Sequence, residues 1–440
     1  MTFRFGTRRI NQQQLNAYIV SSMKMMKSMG FKAYDRVALY DSNTTEYALL
    51  MLCLWHMGAV ACPINPRWPL GQAKEYANAI GAKFFLKRED IKKAVAFDAR
   101  QQLYAPQQLP SFNPNQDAVI IATSGSNGAP KPALLTLGNL MASAQGSQAI
   151  IPFNSDDGWL LSLPLFHISG VSILMRAVNA NATLIMAKDE DLIEGINCPA
   201  VTHVSLVATQ LYRLLQQPSA ILRLRQLKAI LLGGSAISTA LLEQSLKEQL
   251  PVYVSYGLTE MASQVATGRV VLAHQPCATV LPKRQLMIND EGEILVKGET
   301  LFKGYIAGSH VKNMVDNHGW FHTGDLGVLD AEGFLTVLGR RDNMFICAGE
   351  NIYPEEIERV LANVPCVKQV MVVAKEDKEY GFKPIAFIDM DGAFDSRTLE
   401  KICREKLPAI KVPTAFLPWP SNKAAIKPSR KTLTALACTL

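Results

Sequence analysis

The run Thr123-Ser124-Gly125-Ser126-Asn127-Gly128-Ala129-Pro130-Lys131 follows the β-branched residues Val119-Ile120-Ile121 and carries the clearest chemistry in the chain. Glycines let neighbouring backbone N–H groups turn toward one anion, hydroxyls add donors, and Lys131 adds a mobile positive charge; the implied ligand is phosphate. It is not a Walker A loop. Counted from Gly125, Pro130 stands where the second glycine is needed, and Pro132 follows the lysine in place of Ser or Thr. Alone, such a stretch is equally well a polar surface turn.

Further strings pair a functional reading with a plain one. His167 in Leu163-Pro164-Leu165-Phe166-His167-Ile168-Ser169-Gly170 suits a pocket wall or a satisfied core position. Gly233-Gly234-Ser235-Ala236 after an apolar run is a tight strand-to-helix turn with little side chain on it. In Tyr256-Gly257-Leu258-Thr259-Glu260 a hydroxyl can donate to a phosphate oxygen and a carboxylate suits a hard cation, or the pair simply caps a helix. Asp325 in Gly319-Trp320-Phe321-His322-Thr323-Gly324-Asp325-Leu326 is an acceptor-only group able to take two O–H donors. Gly339-Arg340-Arg341-Asp342 reads by itself as a solvated charge cluster. The acids of Gly349-Glu350-Asn351-Ile352-Tyr353-Pro354-Glu355-Glu356 favour a helix start. Ile426-Lys427-Pro428-Ser429-Arg430-Lys431-Thr432-Leu433 has the composition of a basic tail.

Taken in order, these strings resemble the signatures of the adenylate-forming superfamily of acyl-CoA synthetases, luciferases and peptide-synthetase adenylation domains. The resemblance covers nearly the whole chain, departing at Asn127, where threonine is usual, and Ile426, where glycine is common. It implies that Thr123, Ser124, Gly125, Ser126, Gly128 and Lys131 hold the ATP phosphates. Gly234, Ser235 and Ala236 would form a shelf for adenine, with Tyr256 packed on the base beside Gly257. Thr259 would bond the α-phosphate, Glu260 hold Mg²⁺, Asp325 accept both ribose hydroxyls and Arg340 lie near ribose or phosphate. Asp342 would be the hinge of a mobile C-terminal domain that carries the catalytic Lys427, and Gly349 would border the coenzyme A channel. The implied reaction is attack of a carboxylate on the α-phosphorus of ATP with loss of pyrophosphate, followed by attack of the coenzyme A thiol on the acyl-adenylate with loss of AMP. Such transfer needs positioning and charge neutralisation rather than a protein nucleophile; the chain has no G-x-S-x-G elbow.

Within the superfamily, residues 163–170, 204–215 and 257–263 are most similar to the o-succinylbenzoate–CoA ligases of menaquinone biosynthesis, with Ala208 where proline is expected. That substrate is a dianion, so one carboxylate reacts while the other needs an anchor, for which a guanidinium is suited. Arg176 and Arg213 are the candidates, with His167, Thr209 and Ser263 beside the substrate. The alternatives are a medium-chain or aryl acyl-CoA synthetase, or a catalytically silent nucleotide-binding regulator of the same fold. The presence of Lys131, Thr259, Glu260, Asp325 and Lys427 argues against the last.

The elements that must position these residues follow from the hydrophobic pattern. At 440 residues and 48% hydrophobic the chain can bury a large core and divide into domains. Residues 11–30 have apolar positions at helical spacing and end at Gly30; residues 48–64 read as a buried helix entering a strand. Residues 87–116, rich in Gln and Pro, are expected to be an irregular surface excursion. Strand-like runs at 119–122, 159–163, 182–186, 202–207, 227–232 and 252–255 alternate with helical stretches such as 209–217 and 238–249, which predicts parallel sheets covered on both faces with ligand loops at the strands' carboxyl ends. After residue 268 short strands and turns predict a small β-rich subdomain. The fold class is therefore α/β: a large N-terminal domain over 1–339 with parallel-sheet subdomains and the β-rich part, then a small mobile α+β domain over 340–440.

A formal charge of +7, spread along the chain, favours small anionic ligands over a nucleic-acid stripe. The expected partners are a small carboxylate, ATP and coenzyme A, with no nucleic acid and no stable membrane insertion, a homo-oligomer being left open. The eight cysteines form no C-x-x-C pair or metal-ligand spacing and read as reduced core thiols of a cytoplasmic protein; the N-terminus lacks the apolar core of a signal peptide.

Overall fold

The computed structural model describes residues 1–440 apart from 6–7, 96–108, 124–129, 188–189, 235–236, 274–276, 309, 365, 378, 394, 421–429 and 439–440. Two large sheets dominate the first part of the chain. In one, Thr2–Phe5, Gly158–Leu160, Thr183–Met186, His203–Leu206, Ala229–Leu232 and Val252–Leu258 run parallel, and Arg8–Ile10, Ser263–Arg269 and Thr279–Val280 close the edges antiparallel. In the other, Arg36–Tyr40, Val60–Ile64, Phe84–Lys87 and Asp117–Thr123 are parallel, and Lys131–Thr136, Gly304–Ala307 and His310–Lys312 extend it antiparallel.

The helix Thr45–Met57 shows why the two sheets share a core. Thr44 caps the Tyr47 N–H, Gly58 ends the helix at φ 76°, and residues 47–55 between them are all buried. A helix apolar on every side must lie between layers. Its Trp55 ring is buried, and the indole N–H donates to the Ala118 carbonyl over 3.0 Å, which satisfies its one polar group.

A third, antiparallel sheet joins Arg284–Ile288, Glu293–Gly298, Phe321–Leu329 and Leu335–Arg340. This is the β-rich part expected after residue 268, except that Gly304–Ala307 and His310–Lys312 leave it to join the second large sheet. Beyond a 3₁₀ turn at Arg341–Asn343, strands Phe345–Cys347, Glu350–Ile352, Val367–Asp377, Gly381–Met390 and Ala415–Pro418 pack with helices Pro354–Ala362, Ser396–Lys406 and Arg430–Ala437 around a separate small core. The first of these helices rests on the third sheet: Arg359 donates to the Leu338 carbonyl over 3.0 Å, and Glu355 sits where any side chain on Gly339 would collide, 2.6 Å from a Cβ placed there.

Three expectations change. Within 87–116, Arg88–Ala94 is a helix whose acidic first turn suits its dipole, and Phe112 packs edge-on against Trp55 instead of lying loose on the surface. The sheets are mixed: Lys131–Thr136 and Ser263–Arg269 pair antiparallel with the strands that precede them, Asp117–Thr123 and Val252–Leu258, while Phe84–Lys87 keeps one edge of the second sheet parallel. Cys53, Cys62, Cys347 and Cys403 are buried as thought, but Cys366 and Cys438 are exposed. Among the described residues no helix is long and apolar enough to cross a membrane.

Candidate functional site

The strand Val252–Leu258 and the 3₁₀ turn Thr259–Met261 are the spine of the site. A bulge between Tyr256 and Gly257 breaks the register with the neighbouring strand, and a Cβ on Gly257 would lie 1.9 Å from the Ser263 carbonyl oxygen. Only glycine allows that approach. Just past the turn, Ala262 and Ser263 hold φ values of 53° and 110°, strained for non-glycine residues. The Ser143 hydroxyl, donating to the Ala262 carbonyl over 2.7 Å, helps hold the turn in that shape.

On one side of the spine lies a carboxylate with two donors. The Tyr256 hydroxyl donates to Asp325 Oδ2 over 2.7 Å and Arg340 Nη1 to Oδ1 over 2.9 Å. Asp325 and Arg340 face each other across a strand pair, so the register of Phe321–Leu329 against Leu335–Arg340 creates the contact. Burial and the adjacent Asp325 raise the Tyr256 pKa well above its usual value, keeping the phenol a donor. Asp325 retains lone pairs for further O–H donors.

On the other side, the Glu260 side chain is buried and accepts from the Tyr305 hydroxyl over 2.5 Å. The Lys131 ammonium stands 5.7 Å from the centre of the Tyr305 ring, and Thr123, opposite Lys131 across the hairpin, lies against the same phenol. The hairpin, the turn and a distant strand thus bring a cation, a hydroxyl and a carboxylate together. Glu260 offers hard oxygen in a partly desolvated place, a donor that fits Mg²⁺. Tyr305 has no counterpart in the sequence reading. Its signal, an aromatic in Lys303-Gly304-Tyr305, is too short to be read without the topology that carries Gly304–Ala307 to the edge of Lys131–Thr136.

The third part is polar and buried. Arg176, 4% exposed near the end of the helix Ile168–Asn179, donates from Nε to Ser147 Oγ over 3.1 Å and from Nη2 to Gln264 Oε1 over 2.5 Å, with its guanidinium 4.8 Å from the Trp159 ring centre. It is therefore not the surface charge that a position in a helix alone would suggest. Burial, and then the like charge of Arg284, push its pKa down to about 9, still charged at neutral pH. Gln264 lies opposite Gly257 in the antiparallel pair, which ties Arg176 to the spine.

His167 precedes the same helix as its cap residue beside Phe166; its side chain reaches solvent, yet partial desolvation by the protein around the ring, followed by the Arg67 charge, lowers its pKa. Asn43 fixes the loop before it, donating to the Leu163 carbonyl over 2.9 Å and accepting from the Leu165 N–H over 2.8 Å. Gly170 allows the loop to close, since a Cβ there would meet the Pro164 carbonyl at 2.2 Å. Ser263 is half-buried beside Gln264. Thr209 and Arg213 are exposed on the helix Ala208–Leu214, and among the described residues Arg213 has no ion pair; it is a surface charge apart from the buried cluster.

Gly234 holds φ 83° after the strand Ala229–Leu232. Asp342 is an exposed residue in its 3₁₀ turn, 3.6 Å from Arg340, and Gly349 is at the exposed tip of a hairpin. Ser124, Gly125, Ser126, Gly128, Ser235, Ala236 and Lys427 lie outside the described residues.

Comparison with known proteins gives a consistent result. The model of the AMP-binding enzyme family matches residues 2–306, and that of the AMP-binding enzyme C-terminal domain matches residues 356–421. A 2-succinylbenzoate–CoA ligase of Salmonella typhimurium is 35% identical over 93% of this chain and 89% of its own length; one from Escherichia coli K12 is 34% identical over 97% and 94%. Among solved structures, o-succinylbenzoate CoA synthetase from Bacillus subtilis in complex with the acyl-adenylate intermediate OSB-AMP superposes with a TM-score of 0.85 at 28% identity, over 98% of this chain and 94% of that one. The same synthetase in complex with ATP and magnesium ion gives 0.81 at 28% identity, over 94% and 92%.

Proposed function

The chain belongs to the AMP-binding enzyme family, within which it groups with the 2-succinylbenzoate–CoA ligases, and we infer that it is an ATP-dependent, AMP-forming ligase joining o-succinylbenzoate to coenzyme A through an acyl-adenylate. The observation that carries the reading is the convergence on one strand and turn of three charge settings: Asp325 with Tyr256 and Arg340, Glu260 with Tyr305 and Lys131, and the buried Arg176.

Each setting has a task in the two half-reactions. Asp325 takes the ribose hydroxyls while Tyr256 and Arg340 hold its carboxylate in place. Lys131 and the hydroxyl and glycine residues before it neutralise the β- and γ-phosphates, so that pyrophosphate can leave. Glu260 is the residue that would hold Mg²⁺, which when bound supplies positive charge to the phosphate oxygens. Thr259, following Leu258 in the turn, donates to the α-phosphate. Arg176 receives the carboxylate of o-succinylbenzoate that does not react, with Ser263 and His167 on the acyl side, so the reacting carboxylate is presented in line with the α-phosphorus. Gly234, Ser235 and Ala236 form the adenine shelf.

The division into 1–339 and 340–440 places Lys427 and Gly349 on a small domain that rotates about Asp342. Lys427 serves adenylation; Gly349 borders the path of the pantetheine arm for thioester formation. The test is pyrophosphate exchange and thioester formation with a panel of acids. o-Succinylbenzoate is expected to be activated far better than octanoate or benzoate, and faster thioester formation from either of those at equal concentration overturns the assignment.

A further inference from the structure

Arg176 is nearly sealed from solvent, and among the described residues no carboxylate lies within ion-pair distance of it. The acceptors it has, Ser147 Oγ and Gln264 Oε1, are both neutral. The charged side chain that acts on it, Arg284, is of the same sign and spends its own N–H groups on main-chain carbonyls, those of Gln264 and Pro282 among them. A buried charge without a counter-charge costs several kcal/mol. A fold that needed only to satisfy this arginine would place a carboxylate at position 264.

Gln264 is itself fixed. It is 2% exposed, and its Nε2 donates to Thr267 Oγ1 over 2.7 Å, whose hydroxyl donates to Ser255 Oγ over 3.1 Å. That chain decides which way the amide faces: flipping it would turn an NH₂ toward the guanidinium and leave Thr267 facing a carbonyl. The guanidinium is thus oriented by the amide oxygen while its charge stays unspent. The same strand pair carries Tyr256 and Gly257, so the orientation is referenced to the nucleotide side of the site.

We propose that Gln264 is a specificity-determining residue: its neutral carboxamide, pinned by Thr267, aims the Arg176 guanidinium without neutralising it, and so reserves the acyl pocket for acids that bring a second carboxylate. The inference rests on Arg176 being the anchor for that group. Replacing the amide by a carboxylate of the same shape gives Arg176 an internal partner and closes the anchor to the substrate.

The experiment compares Gln264→Glu with wild type by steady-state kinetics and by calorimetric binding of o-succinylbenzoate to the protein. Expected is a rise in KM and Kd for o-succinylbenzoate on the order of 10², the usual scale for losing a buried guanidinium–carboxylate pair. KM for ATP is expected to stay unchanged, Tm unchanged or higher, and turnover of benzoate, which lacks the second carboxylate, undiminished. Should Gln264→Glu not fold by circular dichroism, Gln264→Met, neutral but without the acceptor, is read in its place, with about a tenfold rise in KM for the dicarboxylate and none for benzoate. Unaltered KM and Kd for o-succinylbenzoate in the folded variant overturn the proposal, as does an equal loss for both acids. Arg176→Gln is measured beside it: if that variant keeps the wild-type KM, the anchor itself is wrong and the proposal falls with it. A raised KM for Arg176→Gln with none for Gln264→Glu refutes only the role of Gln264.

Discussion

The Tyr305 phenol donates to Glu260 Oε1 over 2.5 Å while its ring faces the Lys131 ammonium at 5.7 Å. One side chain therefore touches both groups to which the proposed reaction assigns the phosphates. Tyr305→Phe removes the bond to the carboxylate and keeps the ring; Tyr305→Leu removes both. A hydrogen bond to a charged group contributes roughly 1.5–3 kcal/mol, so Tyr305→Phe is expected to lower pyrophosphate exchange by about tenfold or more, chiefly as a higher Mg²⁺ requirement. Tyr305→Leu is expected to raise KM for ATP as well, as is Lys131→Ala. Titration of exchange rate against Mg²⁺ at fixed ATP separates the two; identical curves for wild type and Tyr305→Phe refute the role given to the hydroxyl.

The close approach at Gly257 makes a stability prediction. Alanine there forces its Cβ against the Ser263 carbonyl, and the neighbour is main chain that cannot rotate away. Overpacking of this kind costs about 1–3 kcal/mol. Gly257→Ala is expected to lower the free energy of unfolding by that amount, and the urea midpoint with it, and to displace Ser263 and Gln264. Unfolding in urea followed by intrinsic fluorescence checks the first part; an unchanged midpoint would mean that the bulge relaxes freely.

What the sequence made legible, and what it hid, divides by sequence separation. The parallel strands at the centre of the first sheet and the loops at their ends were readable because each is a local pattern of apolar run, glycine and polar turn. The ligase strings were readable for the same reason. Tyr305 was not, since its meaning depends on pairing with Ala133, far away in the chain, and the same holds for Gln264 beside Arg176. Arg176 and Arg213 look alike in sequence, each a basic residue in the last turn of a helix; burial alone tells them apart. Arg88–Ala94 was missed because Gln and Pro downstream masked a short helix that its acidic first turn announces.

The proposed hinge at Asp342 makes a prediction about the two half-reactions. Asp342 lies in a one-turn 3₁₀ segment between the third sheet and the last domain, and proline there fixes φ and deletes an N–H. Asp342→Pro is expected to keep pyrophosphate exchange while thioester formation from supplied acyl-adenylate falls. Lys427→Ala should show the opposite pattern, with adenylation reduced on the order of 10²–10³, the usual cost of removing one preorganised charge stabiliser, and thioester formation little changed. Both half-reactions measured on both variants test the pair. Equal loss of the two in either protein removes that residue's assigned role.

The last prediction concerns acid. His203 is fully buried, stacked on Trp159 with ring centres 5.0 Å apart, its Nε2 3.0 Å from the Pro152 carbonyl and its Nδ1 2.7 Å from Thr202 Oγ1. Burial lowers its pKa to about 4 from an ordinary 6.5, although Asp157 pulls the other way; Lys228 and Arg176 add to the lowering. A base whose folded pKa is depressed takes up its proton more readily when unfolded, so stability falls as pH drops from about 6.5 toward 4. Asp157, with Lys228 2.6 Å away, has its own pKa lowered and loses that stabilisation over a still more acidic range. Unfolding in urea at pH 7 and pH 5 is therefore expected to show a lower midpoint at pH 5. Gln at position 203 keeps a donor for Pro152 and cannot titrate in this range, so His203→Gln is expected to be less stable at pH 7 through lost ring stacking, yet to change less between the two pH values. Equal pH sensitivity in the variant and the wild type would place the acid response elsewhere in the molecule.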